Sequence, residues 1–304
     1  MIATATEPTA LGSGEWQALN LKPLARMQRR QRLAMFLLFA PALGLIAVFL
    51  LLPIGWLLYL SFVQRGEFSL VHYERMVTYT SYVNILLTTL RISAITTTLC
   101  VLLGYPVAYL VAQLPRHLAL LCIAMIIIPF WTSLLVRTYA WLVLLSGSGP
   151  VSATLAALRL LHDPLGLIFN ETGTIIGMTH IMLPFFILPL YANLKSFDWI
   201  YMQAAASLGA SPLSAFLAVF LPLSLPGLAA GATLVFVQCL GFYVTPAILG
   251  GGKVTTVAMK IATNVEQYFD WGAASAFGVI LLITAVSILV VATRFLSIGR
   301  ILRI

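Results

Sequence analysis

Charge is what this chain has least of. Of its 304 residues only 9% are Asp, Glu, Lys or Arg, while 61% are hydrophobic. A soluble domain carries roughly 25% charged residues, so a water-covered globule is excluded and an integral membrane protein is expected. Cysteine is scarce as well. Cys100, Cys122 and Cys239 each stand in an apolar stretch without a CxxC pair, which argues against a disulfide framework or a thiolate metal site. The four histidines, His72, His117, His162 and His180, are scattered, and no metal or nucleophile constellation forms around them. Carboxylates are missing from the depth of every apolar stretch; Glu171, Glu266 and Asp270 lie only at stretch ends. A phosphate loop is missing too. Gly250-Gly251-Gly252-Lys253 would need Gly at 247, where Ala stands, and Ser or Thr at 254, where Val stands. No catalytic residue, metal or bound cofactor is expected of this chain. Asn170-Glu171-Thr172 matches a glycosylation triplet of the kind that arises by chance.

What is present is long apolar sequence. A helix needs about 20 apolar residues to cross a hydrocarbon core of roughly 30 Å. Six stretches qualify: 33–63, then about 84–114, 118–145, 172–194, 215–242 and 271–293. The expected fold is therefore all-α, with six transmembrane helices. Residues 1–32 are polar and Gly/Pro-punctuated, and are expected to form a flexible basic cytoplasmic tail whose Arg26–Arg32 end meets anionic lipid headgroups. No cleavable signal is expected, because the first apolar run is too long for one.

With six spans and both termini inside, ten basic residues face the cytoplasm: Lys22, Arg26, Arg29, Arg30, Arg32, Arg116, Lys195, Arg294, Arg300 and Arg303. Five face outward: Arg65, Arg75, Arg159, Lys253 and Lys260. That is the positive-inside bias, and it accounts for most of the net charge of +8 without a nucleic-acid partner. Two spans within the uncharged run from Trp199 to Gly252 would instead give seven helices and a count of nine against six. Charge does not separate these topologies; local chemistry does.

Asp198 is placed to cap a helix over about 199–208, and Gly209 supplies a left-handed position to end it. Ser211-Pro212 repeats the pattern, with Ser as cap and Pro at the first helical position, and starts a second short helix. Leu221-Pro222 and Pro226-Gly227 are expected to interrupt the chain again before the apolar stretch from Leu228. A structured helix-turn-helix in the loop at about 195–214 favours six spans over seven.

Within that loop, Gln203-Ala204-Ala205, then Ser207-Leu208-Gly209-Ala210, followed by the Leu221-Pro222 and Pro226-Gly227 segment, resembles the EAA motif of permease subunits in binding-protein-dependent bacterial ABC importers. The resemblance covers about 81–296. Ile128-Pro129-Phe130-Trp131-Thr132-Ser133, Arg137-Thr138-Tyr139, Leu183-Pro184-Phe185, Thr245-Pro246 and Leu249-Gly250-Gly251 are similar to the spermidine/putrescine-type branch. The resemblance implies a type I importer permease in the bacterial inner membrane. It implies a second, related permease subunit, two copies of an ABC ATPase that carry ATP and Mg, and a periplasmic solute-binding protein. It also implies that Gln203, Ala204, Ala205, Ser207, Leu208, Gly209 and Ala210 form a coupling helix seated on the ATPase. Gln203 departs from the usual Glu, keeping hydrogen-bonding capacity without the charge.

Ionisable residues within spans are candidates for function. Arg91 and Arg137 lie near outer ends, where they can snorkel or pair with another helix, and His180 lies nearer the middle of its span. Together with Trp131, Tyr139, Phe242 and Tyr243 they are the candidates for a translocation pathway, in which aromatic faces and carbonyls replace the missing carboxylates for a cationic solute. Two GxxxG patterns, Gly173–Gly177 and Gly227–Gly231, are expected to mark close packing. The alternative from another class is an ion-gradient-driven secondary transporter, which usually shows an embedded carboxylate or helices broken at midplane. A membrane-embedded lipid enzyme is a third reading, weakened by the missing polar cluster.

Overall fold

The structure, a computed structural model, describes residues 31, 34, 35, 37–64, 66–157 and 166–301. Residues 1–30 and Arg32 of the expected tail, Arg65, Arg159 and Arg303 of the charge count, and His162 lie outside the described residues. The chain divides into two units, Met1–Tyr59 and Leu60–Ile304. The first holds residues 37–59 of the apolar helix α1 (Leu37–Ser61). A π-helical turn at Ala47–Leu51 widens α1 two residues before Pro53. Pro53 has no N–H to give, and its ring would press on the carbonyl four residues back; the wider turn relieves both.

The second unit begins with a two-residue hairpin, β1 (Val63–Gln64) against β2 (Glu67–Phe68). Helices follow in order: α2 (Val71–Thr78), α3 (Thr80–Gln113), α4 (Arg116–Ile127), α5 (Leu134–Leu144), α6 (Pro150–Ala157) and α7 (Glu171–Lys195). Then come α8 (Ile200–Ser207), α9 (Pro212–Leu240), α10 (Val244–Leu249), α11 (Val257–Glu266) and α12 (Trp271–Ile301). Among the described residues, five helices are long and apolar enough to cross a membrane, and six spans result when a bent pair is counted as one.

That bent pair is the third expected span. Instead of one helix over 118–145, α4 continues through a 3-10 turn at Ile128–Trp131 and then meets α5 at 96°. Pro129 has no N–H for the helical ladder, and Thr132 and Ser133 turn to extended ψ values of 149° and 139°. The Thr132 N–H and hydroxyl both donate to the Pro129 carbonyl, at 3.2 and 2.6 Å, and close the turn. A second correction concerns Leu221-Pro222 and Pro226-Gly227. These interrupt nothing: α9 is continuous over 29 residues, and Pro212 opens it rather than a separate short helix. Its π turn at Phe216–Phe220 stands two residues before Pro222, the same offset as in α1, while Pro226 is carried inside the helix.

The core is where α3, α7 and α9 meet. Lipid is as apolar as Leu, so helices in a bilayer associate through close packing rather than by escaping water. Phe186 of α7 shows how. Its side chain is 0% exposed, and a Cβ built on Gly104 of α3 would lie 2.5 Å from its ring. A Cβ on Gly231 of α9 would lie 2.8 Å from its carbonyl oxygen. One large ring is thus clasped between two glycines on neighbouring helices. Gly227, one turn earlier on α9, meets Asn193 of α7 equally closely, so the 227–231 pattern does bring α9 onto α7. Gly177 of α7 receives Leu249 and Thr245 of α10. A smaller cluster of Met76, Val257, Ala276 and Phe277 ties α2, α11 and α12 together.

Candidate functional site

The loop between α7 and α9 folds largely as its residues dictate. Asp198 accepts from the Ile200 N–H at 3.0 Å, so the helix starts at Ile200, one residue later than expected. Gly209 adopts φ +84°, the Gly209 N–H reaches the Ala206 carbonyl at 2.9 Å, and the Ala210 N–H reaches Ala205 at 3.0 Å. This pair of bonds is the Schellman ending, which satisfies carbonyls the helix would otherwise leave bare. Ser211 then accepts from the Ser214 N–H at 3.3 Å and Pro212 begins α9. The Ser207 hydroxyl donates to the Gln203 carbonyl at 3.0 Å within the helix.

The result is a short helix without charge that presents Gln203, Ala204, Ser207, Leu208 and Gly209 outward, with Ala205 and Ala210 half-buried. Leu208 is 89% exposed. In a chain with so few polar residues, an apolar side chain held out at the end of the bundle beyond α7 is a surface awaiting cover.

Sequence reasoning did not anticipate what holds this helix to the bundle. Trp199 stacks on Phe220 with centroids 5.7 Å apart, and Phe197 and Tyr109 meet the same ring edge-on at 5.1 and 5.0 Å. Tyr105 and Tyr109 of α3 approach Phe216 edge-on at 6.5 and 6.0 Å, and the Tyr105 hydroxyl shares a 2.9 Å hydrogen bond with Ser224 of α9. Phe220 is buried inside the π turn. Aromatic pairs of this geometry contribute about 0.5–1.5 kcal/mol each beyond their contact area. The signal was present as two i,i+4 aromatic pairs, Tyr105/Tyr109 and Phe216/Phe220, flanking a loop that itself begins Phe197-Asp198-Trp199.

The pathway candidates separate into three groups. Arg91 pairs with Glu171 at the first residue of α7, both side chains remaining partly accessible, so its partner is a neighbouring helix. Arg137, His180 and Tyr243 belong to α5, α7 and the start of α10, three elements packed into one junction. Within it the Thr138 and Thr245 hydroxyls lie 3.3 Å apart, and Leu249 enters the space left by Gly177. The Arg137 guanidinium lies 5.4 Å from the Phe130 ring centre, Phe130 meets Phe185 of α7 edge-on at 4.9 Å, and Trp141 meets His180 edge-on at 5.5 Å. Arg137 Nε and His180 Nδ1 are buried without a hydrogen-bond partner. Trp131, 89% exposed at the bend, and Tyr139 on α5 point away from the chain's own core, and Phe242 packs against the main core. Asn170 of the glycosylation triplet is occupied as the cap of α7, accepting from the Gly173 N–H at 2.9 Å.

No family model matches the sequence. Individual proteins do. The chain is 33% identical over 242 residues to the spermidine/putrescine transport system permease protein PotB of Escherichia coli (strain K12), covering 77% of this chain and 88% of that one. It is 32% identical to PotB of Haemophilus influenzae over 203 residues, covering 66% and 71%. The chain belongs to the spermidine/putrescine-type permeases of ABC importers. The ion-gradient alternative is thereby set aside. The permease also shares its fold with a chain in the crystal structure of a bacterial ABC transporter for the acidic polysaccharide alginate, at a TM-score of 0.69, 15% identity and coverage of 92% and 98%. A second structure of an alginate transporter, bound to its pentasaccharide-loaded periplasmic protein, aligns at a TM-score of 0.68 and 16% identity.

Proposed function

We propose that this permease forms one half of the membrane pathway of an ATP-driven polyamine importer and is moved by a cytoplasmic ATPase that grips α8. The observation that carries the reading is the state of α8: uncharged, exposed along its outer face, ended by a Schellman turn, and fixed to α3 and α9 through Trp199 and Phe220. A lever needs a free surface at one end and a stiff attachment at the other, and this loop has both. The structured loop at α8, which favours six spans, and the ten-against-five basic count that six spans give both support a cytoplasmic α8 with both termini on the same side. ATP and Mg are bound by two ATPase copies, a related second permease completes the pathway, and a periplasmic binding protein delivers solute.

Spermidine or putrescine is the solute favoured by the PotB relatives. The pathway side of the chain is the junction of the α4–α5 bend with α7 and α10. Phe130, Trp131, Tyr139 and Tyr243 supply aromatic faces there for an organic cation, while Phe242 is turned to the main core. The experiment is uptake of labelled spermidine by proteoliposomes holding the whole complex, with ATP inside the vesicle and binding protein outside. Polyamine uptake above that of an amino-acid or sugar control is expected. A complex that assembles and hydrolyses ATP yet responds to no polyamine would overturn the substrate, and one that transports with the ATPase absent would overturn the coupling.

A further inference from the structure

At the end of the second unit away from α8, where α3 and α12 begin, a cavity of about 280 Å³ opens between α2, α3, α11 and α12. The apolar side chains Met76 and Phe277 contribute to its wall, and its polar lining is His72, Arg75, Asn264 and Lys260 with Tyr82, Tyr268 and Asp270. A second cavity of about 360 Å³ shares His72, Tyr268 and Asp270 with it.

Two independent features of the first cavity point to a ligand. Lys260 Nζ stands 5.6 Å from the ring centre of Tyr82 and 5.2 Å from that of Tyr268, so two aromatic faces hold an ammonium beside the opening. Among the described residues neither Lys260 nor Arg75 has an acidic partner; the ion pair there is Arg91 with Glu171. Asn264 is 4% exposed and its Nδ2 has no acceptor; His72 is also 4% exposed and its Nδ1 has no partner. A buried amide N–H left unmatched is costly, and such groups in a native fold usually mark a missing partner. Donors without acceptors call for an oxygen-rich anion.

The charge of that anion follows by counting. Arg75 and Lys260 bring two positive charges, and Asp270 brings one negative charge that is already engaged, its Oδ1 accepting from the Ala273 N–H at 2.9 Å at the start of α12. The remainder is a single positive charge, which matches a monoanion. We propose that this cavity is a binding site for a singly charged oxyanion, a carboxylate or phosphodiester, held by Lys260 and Arg75 with Asn264 Nδ2 donating to one of its oxygens. A polyamine is excluded from it by the same two cations, so the site is separate from the solute pathway and does not rest on the transport reading. The phosphodiester of an anionic lipid and a dissolved anion share this chemistry.

The test uses the full chain purified in neutral detergent, with thermal unfolding as the readout, because a ligand that binds only the folded form raises the midpoint saturably. Dimethyl phosphate and acetate are the dissolved probes; nanodiscs of phosphatidylcholine with and without phosphatidylglycerol are the lipid arm. A saturable rise is expected, with its half-saturating concentration increased about tenfold in Lys260→Gln and in Asn264→Leu, near 1.4 kcal/mol. Lys260→Arg and the control Lys253→Gln are expected to retain binding. Saturation by dimethyl phosphate or acetate identifies a dissolved anion as a sufficient ligand, and a rise with phosphatidylglycerol alone identifies the lipid. No saturable rise in either arm, or one that Lys260→Gln and Asn264→Leu leave unchanged, overturns the site.

Discussion

The two ends of the second unit solve the same problem by opposite means. At the α8 end the loop carries no charge from Trp199 to Ser214, and it is held by stacked rings and backbone caps. At the α2–α11 end charges of both signs are present, cavities lined by Arg75, Lys260 and Asp270 open into it, and buried donors lack partners. Water solvates the second kind of end without help. The first leaves Ile200, Tyr201, Leu208 and Leu213 exposed and gains by being covered by protein. On the proposed reading, low charge in a membrane chain marks two kinds of surface, one for lipid and one for a partner. A cap, a Schellman turn and an aromatic anchor separate the second kind from the first.

Both ends hang on the α3–α7–α9 core, so the largest effect comes from breaking what they share. Gly231→Leu forces side-chain carbon into the Phe186 backbone and ring. Overpacking costs about 1–3 kcal/mol or more, and the yield of monodisperse protein should fall several-fold. Wild-type yield on fluorescence-detected size exclusion would remove the clasp from the account. Next, Gly209→Arg damages one end only. It puts a bulky cation on the face proposed to meet the ATPase and an L-residue at φ +84°, a strain of about 1–2 kcal/mol. Spermidine uptake should drop at least about tenfold, a loss of at least about 1.4 kcal/mol of coupling, with membrane insertion intact. Uptake at the wild-type rate would contradict the lever.

A subtler change sharpens the contrast. Trp199→Ala leaves the outer face of α8 intact and removes its stack on Phe220. ATPase binding should persist while the ATP used per solute moved rises, and Trp199→Phe should restore most of the coupling. An unchanged ATP-to-solute ratio in Trp199→Ala would show that the aromatic anchor transmits nothing. The smallest effect is expected at the charged end of α7. Arg91→Gln breaks a partly exposed ion pair of the kind worth about 0–1 kcal/mol, so stability and uptake should stay near wild type. A severe loss of uptake there would return Arg91 to the solute pathway.

Much of this was legible in the sequence. Long uncharged runs set the spans, and the order Asp198, Gly209, Ser211-Pro212 set the loop, because caps and left-handed glycines act over two to five residues and need no tertiary help. The prolines were less readable. Pro129 with Thr132 and Ser133 bends a span by 96°, whereas Pro222 and Pro226 bend nothing of comparable size. The sequence shows the missing N–H but not whether a π turn upstream absorbs the ring, nor whether the residues after the proline turn extended and close back on its carbonyl. Long-range pairings were illegible for a related reason. Arg91 with Glu171, Phe186 between Gly104 and Gly231, and Asn264 in its cavity each depend on helix rotation, which apolar periodicity does not fix when lipid and core are equally apolar.

The central claim is that α8 is covered by the ATPase, and Leu208, 89% exposed at its C-terminal end, reports this directly. In a Leu208→Cys chain with Cys100, Cys122 and Cys239 replaced by Ala or Ser, maleimide labelling would be followed in membranes from cells with and without the ATPase subunit, after confirming uptake by the complete complex. The account predicts rapid labelling of the permease without the ATPase and strong protection when it is present. Equal labelling in both, in a complex that still transports, would contradict it.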